Sequence, residues 1–549
     1  MKKREKSNMF VKNIHFSCMF VKINVTLHTE LITLITMKKL LLFIVLMMLP
    51  FATNAKVKIN GIYYALDDEN ETAEVVFGGY SGDVVIPSTV TQNDVVYTVT
   101  SFAKNAFYNS PQMTSLTIPK SVTSIKYHRG FFYNCNKLAS IVVEEGNPNY
   151  DSREGCNALI ETASNKLLYG TPSSFIPNSI ATIGVAAMTH LNVTTLTIPN
   201  SVTTIEDGAF SGCTELTSVY IGTGLEHIGE NIFNECSKLK TVEINSNSLV
   251  SKNYTSEEIN VSGLLCGSSV EEIVLGENVT SVGEHAFVRG NFKSLKMSDN
   301  LTTIGDNAFW ECPKLTSIEF SNNLEYIGQW AFAGCMELPS VTIPRSVKCI
   351  DLIAFQWCNK LTKVEVNSNE VVSRDGEQFY TLMSCFGKQV KEYMLGEDVK
   401  KIAYIAFAES EKLTTVTISS HLTCVDDSAF HKCTSLEDVY LYAEQVPQTG
   451  KDIFVDSNYK NATLHVPANA VEAYRNAEQW KDFGNIVALT EEDPKPTTGI
   501  DDMEKRVVER ETPTAQHYYT IDGKLLAAPQ RGLNIVKMSD GTTRKVVVR

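Results

Sequence analysis

The sequence lacks the features that mark an enzyme or a nucleic-acid-binding protein. Its ten histidines are scattered over 549 residues, and it holds no H-E-x-x-H, G-x-S-x-G, Walker-loop or EF-hand string. It has no basic stripe either, since 49 Lys and Arg stand against 63 Asp and Glu, a formal net charge of −14. These absences argue against catalysis, a metal site, a cofactor and a nucleic-acid partner.

What is present is enough apolar sequence for a large core. Apolar residues make up 43% of the chain, charged residues 20% and aromatic residues 9%, which excludes disorder, collagen and a disulfide miniprotein. At roughly 150 residues per domain the length predicts about three or four domains, unless the chain is built from internal repeats. The number of domains therefore depends on whether the chain contains internal repeats.

The N-terminus carries a predicted export signal. The basic start Met37-Lys38-Lys39 precedes the apolar run Leu40 to Met48 and the small residues up to Ala55, so residues 37–55 read as a signal peptide cleaved after Ala55. The run is too short to span a bilayer, and no cysteine stands nearby for lipid attachment. Residues 1–36 read as an extension upstream of the true start. Export leaves 41 basic and 61 acidic residues, with no membrane span expected.

A phenylalanine, usually preceded by alanine, recurs at a fixed interval. Phe309, Phe332 and Phe355 are 23 residues apart, as are Phe407 and Phe430, which is a solenoid period. Three intervals exceed 50 residues, and each is predicted to hold two coils and a loop. The polar loops at 144–157, 245–258 and 367–377 are expected to project from one side.

The residues around each of these anchors follow one pattern. A branched aliphatic stands five residues before the anchor, Cys three residues after it and Leu six after it, as in Ile327, Cys335 and Leu338 around Phe332. An alternating β-branched segment follows, closed in several coils by Ile-Pro. The pattern predicts strand, turn, strand and one short helical turn per coil, with each coil burying the apolar edge of the next.

The string L-x-x-V-x-I-P, then V-x-x-I-G, then A-F-x-x-C-x-x-L resembles the BspA-like leucine-rich repeat of bacterial surface antigens over residues 101–463. The resemblance implies a leucine-rich-repeat solenoid that is mainly β. It also implies a protein exposed at the cell surface and engaged in adhesion to host proteins or other cells.

Both ends of the repeat array have distinct sequences. Residues 56–100 alternate as hairpins and are predicted to form an N-terminal β cap, and residues 464–489 are predicted to close the array with one amphipathic helix reaching Trp480. Residues 490–515 read as a solvated linker. Residues 516–549 form a small β module that resembles the C-terminal sorting domain of type IX secretion, with Asn534 in place of the usual Tyr. That resemblance implies recognition by the secretion machinery.

The cysteines recur once per coil at one phase rather than in the close pairs that a zinc site needs. Buried free thiols are the favoured interpretation, although disulfides between adjacent coils stay geometrically conceivable. The predicted outward residues of the longer strands form a row of mixed chemistry, which favours a solvated sheet face. That row comprises Thr197, Tyr220, Glu243, Lys296, Glu319, Thr342, Glu365, Thr417 and Tyr440.

Trp310, Trp330 and Trp357 fall beside the anchors of three consecutive coils and are the candidate ligand-binding residues. The alternative is that these tryptophans only pack on the helical-turn side of the solenoid. The leading hypothesis is a secreted or surface-displayed binding protein of a gram-negative bacterium, adhesin-like, whose partner is a host matrix protein, another cell surface or a glycan. The alternatives are a structural component of the surface layer and an enzyme accessory with a substrate site built from the loops.

Overall fold

The structure is a computed structural model. It describes the chain in several stretches, with some short strands in backbone only, as follows: residues 56–126, 130–255, 258, 260–263, 269–374 and 380–496 in full, and the backbone of 264–265, 515–519, 525–526, 532–538 and 543–548. The predicted extension at 1–36 and signal peptide at 37–55 lie outside the described residues.

The chain divides into two compact units. The first runs to Leu138 and includes Val143–Asn149, and the second comprises Ala139–Val142 and the chain from Tyr150 onward. The strands of the first unit are β1 (Val57–Ile59), β2 (Ile62–Asp67), β3 (Thr72–Val75), β4 (Ser81–Val85), β5 (Thr89–Gln92), β6 (Val95–Phe102), β7 (Gln112–Ile118) and β8 (Ser124–Ile125).

The first unit begins with hairpins, as predicted for an N-terminal cap. Strands β1 and β2 are antiparallel and meet at Asn60-Gly61, where both residues have positive φ, the geometry of a tight two-residue hairpin turn. Strand β3 pairs antiparallel with β2 and parallel with β6, and β6 pairs parallel with β8. The core of this unit contains Tyr64, Phe102 and Phe107, all fully buried.

The second unit contains most of the anchor phenylalanines. Its strands before the C-terminal module, in chain order, are β9 (Ser140–Val143), β10 (Tyr150–Asp151), β11 (Ala158–Glu161), β12 (Lys166–Gly170), β13 (Thr182–Ile183), β14 (Thr195–Ile198), β15 (Thr204–Ile205), β16 (Ser218–Ile221), β17 (His227–Ile228), β18 (Thr241–Ile244), β19 (Glu272–Leu275), β20 (Ser281–Val282), β21 (Ser294–Met297), β22 (Thr303–Ile304), β23 (Ser317–Glu319), β24 (Tyr326–Ile327), β25 (Ser340–Ile343), β26 (Cys349–Ile350), β27 (Lys363–Val366), β28 (Glu392–Leu395), β29 (Lys401–Ile402), β30 (Thr415–Ile418), β31 (Cys424–Val425), β32 (Asp438–Leu441), β33 (Gln448–Thr449), β34 (Thr463–Val466) and β35 (Asn485–Ala488).

Most coils of the second unit contribute one longer strand and one two-residue strand to parallel sheets. The longer strands form the sheets β14-β16-β18-β19-β21-β23 and β25-β27-β28-β30-β32-β34-β35. Two-residue strands of neighbouring coils pair in parallel and carry the predicted branched aliphatic as their second residue, as in Thr303–Ile304, except that β33 carries Thr449 there. This is the predicted leucine-rich-repeat solenoid, mainly β.

The anchor phenylalanines stack on one another through the core. Phe332 is fully buried between Phe309 and Phe355, at ring-centroid distances of 5.1 and 5.2 Å and interplanar angles of 8° and 10°. Phe386 continues the stack 5.2 Å beyond Phe355 and so supplies the anchor missing from that long interval. Buried aromatic pairs of this kind add about 0.5–1.5 kcal/mol to the effect of their buried area.

The segment around each anchor is a succession of turns held to the next coil by backbone hydrogen bonds. Asn307, Phe309 and Glu311 donate from N–H to the carbonyls of Gln329, Ala331 and Ala333, at 2.8–2.9 Å. The residues two before and two after the anchor have left-handed backbone, as Asn307 and Glu311 do with φ of 54° and 55°. These reversals keep the segment from forming a continuous helix.

The first residues of the loops at 245–258 and 367–377 are buried and do not project, contrary to the prediction. They open with the helices α1 (Asn247–Val250) and α2 (Asn369–Val372), whose apolar residues are buried in the core. Ser246 and Ser368 cap these helices by accepting hydrogen bonds from backbone N–H groups three residues on. Asn-Ser-rich composition therefore marks helix caps here rather than a solvated loop. The loop residues 256, 257, 259 and 375–377 lie outside the described part of the chain.

The remaining helices are short. The structure has α3 (Leu382–Phe386), α4 (Val471–Arg475) and 3-10 turns at Arg153–Gly155, Val261–Leu265 and Tyr459–Asn461. The predicted cap helix at the C-terminal end of the array is thus five residues long and stops before Trp480. The chain reverses at Gln479, where φ is 70°, so that both Tyr474 and Trp480 are fully buried, and it then adds β35 to the sheet.

The cysteines three residues after the anchors of the second unit are here called the ladder thiols; they are Cys213, Cys236, Cys312, Cys335, Cys358 and Cys433. All six are buried and hydrogen-bonded. None of the eleven cysteines in the described stretches forms a disulfide. The ladder thiols donate to the carbonyl of the anchor one coil earlier, as Cys335 does to Phe309 at 3.5 Å and Cys358 to Phe332 at 3.2 Å. Burial raises the pKa of Cys433 to about 12, which disfavours the thiolate needed for oxidation.

The C-terminal module is described in backbone only. It forms an antiparallel sheet in the order β37-β36-β38-β39, from β36 (Ala515–Tyr519), β37 (Leu525–Leu526), β38 (Gly532–Met538) and β39 (Thr543–Val548). In the described stretches no helix has the length and apolarity needed to cross a membrane.

Replacing Phe332 with Ala is expected to lower the free energy of unfolding by about 3–5 kcal/mol, because it opens a cavity between two stacked rings. Urea denaturation followed by circular dichroism measures the change. Tyr404, an exposed aromatic at 55% accessibility, is the matched control, and Tyr404→Ala should change stability by less than about 1 kcal/mol. Equal losses in the two variants would contradict the role of the stack.

Iodoacetamide at pH 8 is expected to leave the ladder thiols of Cys335, Cys358 and Cys433 unmodified in the native protein and to label all three in urea. Burial restricts access and raises the pKa of Cys433, so little thiolate is available. Cys349 is only partly buried and should react first. Peptide mapping by mass spectrometry gives the order, and native labelling of Cys335 ahead of Cys349 would refute it.

Candidate functional site

Two of the three predicted tryptophans lie together on the turn side of the solenoid. Trp330 stands two residues before its anchor and Trp357 two residues after the next anchor. Their ring centroids are 4.8 Å apart at an interplanar angle of 49°. We call these two residues the Trp pair.

The Trp pair occupies the left-handed backbone positions that flank the anchor, where other coils carry residues such as Arg289, Glu311 and Ile353. Trp330 and Trp357 have φ of 59° and 61°, in the left-handed region, which costs a residue with a Cβ about 1–2 kcal/mol. Trp357 is nevertheless 51% exposed, so burial of its own ring recovers only part of the apolar transfer energy. Its presence is therefore not explained by packing alone.

The surroundings of the Trp pair leave it accessible. Gly334 occupies the position two after the anchor in the coil before Trp357, so no side chain stands there between Glu311 and Trp357. Met336, in the same coil as Gly334, is 48% exposed. The two coils thus present an aromatic ring beside bare backbone, a surface suited to a protein side chain or the apolar face of a sugar.

Trp310 is placed differently from the other two. It packs against Arg289, whose guanidinium carbon lies 5.6 Å from its ring centroid, and Arg289 in turn pairs with Glu311 at 2.8 Å. Its indole Nε1 is buried and has no hydrogen-bond acceptor among the described residues. Trp310 therefore contacts Arg289 in the structure, and its role in ligand binding stays a prediction.

Sequence reasoning missed a second exposed aromatic pair, in the first unit. Tyr108 and Tyr133 stack at 5.2 Å with an interplanar angle of 16°, and they are 39% and 61% exposed. Each follows its anchor, Phe107 or Phe132, by one residue, which is the phase of Trp310. The shared phase is the signal that would have revealed them.

The outward residues of the longer strands do form aligned rows. Thr197, Tyr220 and Glu243 occupy matching register positions on neighbouring strands, and the second sheet aligns Thr342, Glu365 and further residues in the same way. The rows also include Val274 and Met394, which the spacing missed because they lie within the long intervals between anchors. The face mixes hydroxyl, charged, aliphatic and aromatic groups, so it carries no repeated binding chemistry.

Charges on the solenoid surface are paired between successive coils. Lys238 bonds Glu215 at 2.8 Å, and Lys360 bonds Glu337 at 2.5 Å, each pair one coil apart at one phase. Exposed pairs of this kind contribute at most about 1 kcal/mol each. They neutralise part of the acidic surface locally.

In one surface depression of the second unit, three polar side chains are engaged by other protein groups. It is lined by Glu226, His227, Lys252, Tyr254 and Glu258, where Lys252 pairs with Glu258 at 2.8 Å and Tyr254 donates to the Leu249 carbonyl at 2.6 Å. This arrangement holds its groups in place rather than aiming them at a substrate. Within the described residues no group of three or more His, Cys, Asp or Glu is placed to hold a metal ion.

Parallel sheets of coil-paired strands, a phenylalanine stack and one leucine-rich motif per coil define a leucine-rich-repeat solenoid. The family model for the BspA type leucine-rich repeat region matches residues 88–158, 169–273, 257–380 and 383–477, in six copies. The chain belongs to the BspA-type leucine-rich repeat family. Proteins of this family are cell-surface proteins.

Several solved structures are similar to the chain. A leucine-rich cell surface protein from Faecalibacterium prausnitzii is 22% identical, covering 70% of this chain and 94% of its own, with a TM-score of 0.29. A leucine-rich repeat protein from Bacteroides ovatus is 23% identical, covering 79% of this chain and 100% of its own, with a TM-score of 0.28. No curated protein matches the sequence.

Replacing Trp357 with Asn is expected to change the free energy of unfolding by less than about 1 kcal/mol. Asn tolerates the left-handed backbone, which offsets the loss of ring contact. The control is Trp480→Ala, which empties a fully buried site and should cost about 3–5 kcal/mol. Urea denaturation distinguishes them, and a loss at Trp357 as large as that at Trp480 would show that Trp357 is a packing residue.

Proposed function

We propose that the protein is a secreted or surface-displayed binding protein, adhesin-like, whose rigid solenoid presents the Trp pair to a host matrix protein, another cell surface or a glycan. The observation that carries the proposal is the position of Trp357. A large ring is held half-exposed on left-handed backbone, where it costs stability, and the neighbouring Gly334 leaves room beside it. Tryptophan at the centre of an accessible patch is the residue type most enriched in binding hot spots.

Export is the second part of the proposal. It rests on the sequence of residues 37–55 as a signal peptide cleaved near Ala55, and on the resemblance of residues 516–549 to a type IX sorting domain. The antiparallel backbone sheet of β36 to β39 supports a separate module there. We infer that this module addresses the chain to the secretion machinery at the outer surface of a gram-negative cell.

The binding experiment uses the mature chain, residues 56–549, and measures its affinity for a panel of matrix proteins and glycans by biolayer interferometry. Saturable binding to at least one member is expected. The double variant Trp330→Ala/Trp357→Ala should lose at least about tenfold in affinity, which corresponds to 1.4 kcal/mol at the interface.

Tyr404→Ala, which removes an exposed aromatic from another coil, is the matched control and should bind like the unchanged protein. Circular dichroism confirms that all variants are folded. If the double variant binds with the affinity of the unchanged protein, the Trp pair is not part of the binding site. Absence of binding to every panel member, together with self-association in solution, would replace the proposal with a structural role in the surface layer.

A further inference from the structure

Residues 490–496, the first part of the predicted linker, contact the last strands of the second unit. After β35 the Leu489 N–H donates to the Val466 carbonyl at 2.8 Å, and the chain turns as the Thr490 N–H donates to the Asp493 carboxylate at 2.7 Å. The Tyr442 hydroxyl then donates to the Pro494 carbonyl at 3.2 Å. Val466 ends β34 and Tyr442 follows β32, so the segment runs back across the strand ends. We call residues 490–496 the strap.

Burial of the strap is one-sided. Pro496 is buried and Asp493 and Pro494 are partly buried, whereas Glu491, Glu492 and Lys495 are exposed. The prolines thus face the protein and most of the charges face water. Proline has no N–H, so laying it across strands leaves no backbone donor unsatisfied.

The outward rows change character on the last strands of the sheet. Thr417 on β30 is 2% exposed, and it is the one residue of the predicted row that is buried. On the next strand Tyr440 stacks on His465 at 4.3 Å, and His465 bonds Asp438 at 2.9 Å. Burial raises the pKa of Tyr440 and of Tyr442, and the nearby Asp493 carboxylate adds to both shifts, which places that carboxylate close to the two phenols.

We propose that the surface formed by Tyr440 and Tyr442 at the end of β32 is a binding surface for an extended, acidic, proline-containing peptide, and that the strap occupies it in cis. Aromatic side chains are the usual lining of surfaces that bind proline-containing segments. The tethered strap is present at a high effective concentration, typically in the millimolar range for a short connection. It therefore competes with any partner peptide for the last coils. This surface is distinct from the Trp pair, and the inference does not depend on the proposed function.

Limited proteolysis of the mature chain with Glu-C tests whether the strap is docked. Cleavage after Glu491 and Glu492 requires the strap to lift, so Tyr442→Ala and the double variant Pro494→Gly/Pro496→Ser should be cut there at least about tenfold faster than the unchanged protein. Tyr442→Phe, which loses only the hydroxyl, should fall between. Tyr220→Ala, which removes an outward tyrosine from a distant coil, is the matched control and should leave the rate unchanged.

A second measurement tests the surface itself. A fluorescent peptide with the sequence of residues 490–496 is titrated, by anisotropy, against the unchanged mature chain, against the Pro494→Gly/Pro496→Ser variant and against that variant with Tyr442→Ala added. The peptide should bind the strap variant at least about tenfold more tightly than the unchanged chain, and Tyr442→Ala should abolish that binding.

Equal cleavage of all folded variants would overturn the docking of the strap. Failure of the strap variant to bind the peptide at about 10 mM, or equal binding with and without Tyr442, would overturn the binding surface. Thermal melts followed by circular dichroism establish that each variant is folded before either measurement.

Discussion

In the second unit Phe309, Phe332, Phe355 and Phe430 each stack on a phenylalanine ring of both neighbouring coils, and each donates its backbone N–H to the next coil. In the central coils the ring spacing of 5.1–5.2 Å sets the distance at which strands, thiols and turns of adjacent coils can pair. One 23-residue coil cannot bury its own Phe, Leu and Ile, so every coil is stable only through its neighbours. The parallel strand register, the thiol-to-carbonyl bonds and the salt bridges between coils all follow from that spacing.

The repeat and its core could be predicted from sequence because buried positions recur at fixed intervals. Ile327, Phe332, Cys335 and Leu338 each occupy the predicted buried position, and the strand that follows Leu338 forms as the alternation indicates. The helical turn was harder to foresee in detail, since left-handed residues such as Ile353 and Trp330 carry no compositional signal for positive φ. Only the hydrogen bonds to the next coil make that backbone favourable.

The parts that sequence did not predict are those where tertiary contacts outweigh composition. Ser246 and Ser368 belong to polar stretches that read as loops, yet they cap short helices buried by the stack. The strap reads as a linker because of its Glu, Asp and Pro content, yet its Pro494 carbonyl accepts a hydrogen bond from the Tyr442 hydroxyl. At the candidate site, spacing identified the three tryptophans, but only the structure separates the exposed Trp357 from Trp310, which packs on Arg289.

Core and surface are therefore set independently in this fold. The stack fixes where each coil lies, and the turn side and the outward strand face can then vary without disturbing it. The Trp pair lies on the turn side of two adjacent coils, whereas the strap contacts Tyr442 after the end of β32. The two surfaces proposed for binding therefore differ in their chemistry.

Native-state hydrogen exchange of the anchor amides tests the dependence of the second unit on its stack most directly. The amides of Phe210, Phe309, Phe332 and Phe430 should share one opening free energy, equal to that of global unfolding, because no coil is stable without its neighbours. Opening of one group of coils at a free energy several kcal/mol below the rest would contradict a single cooperative stack.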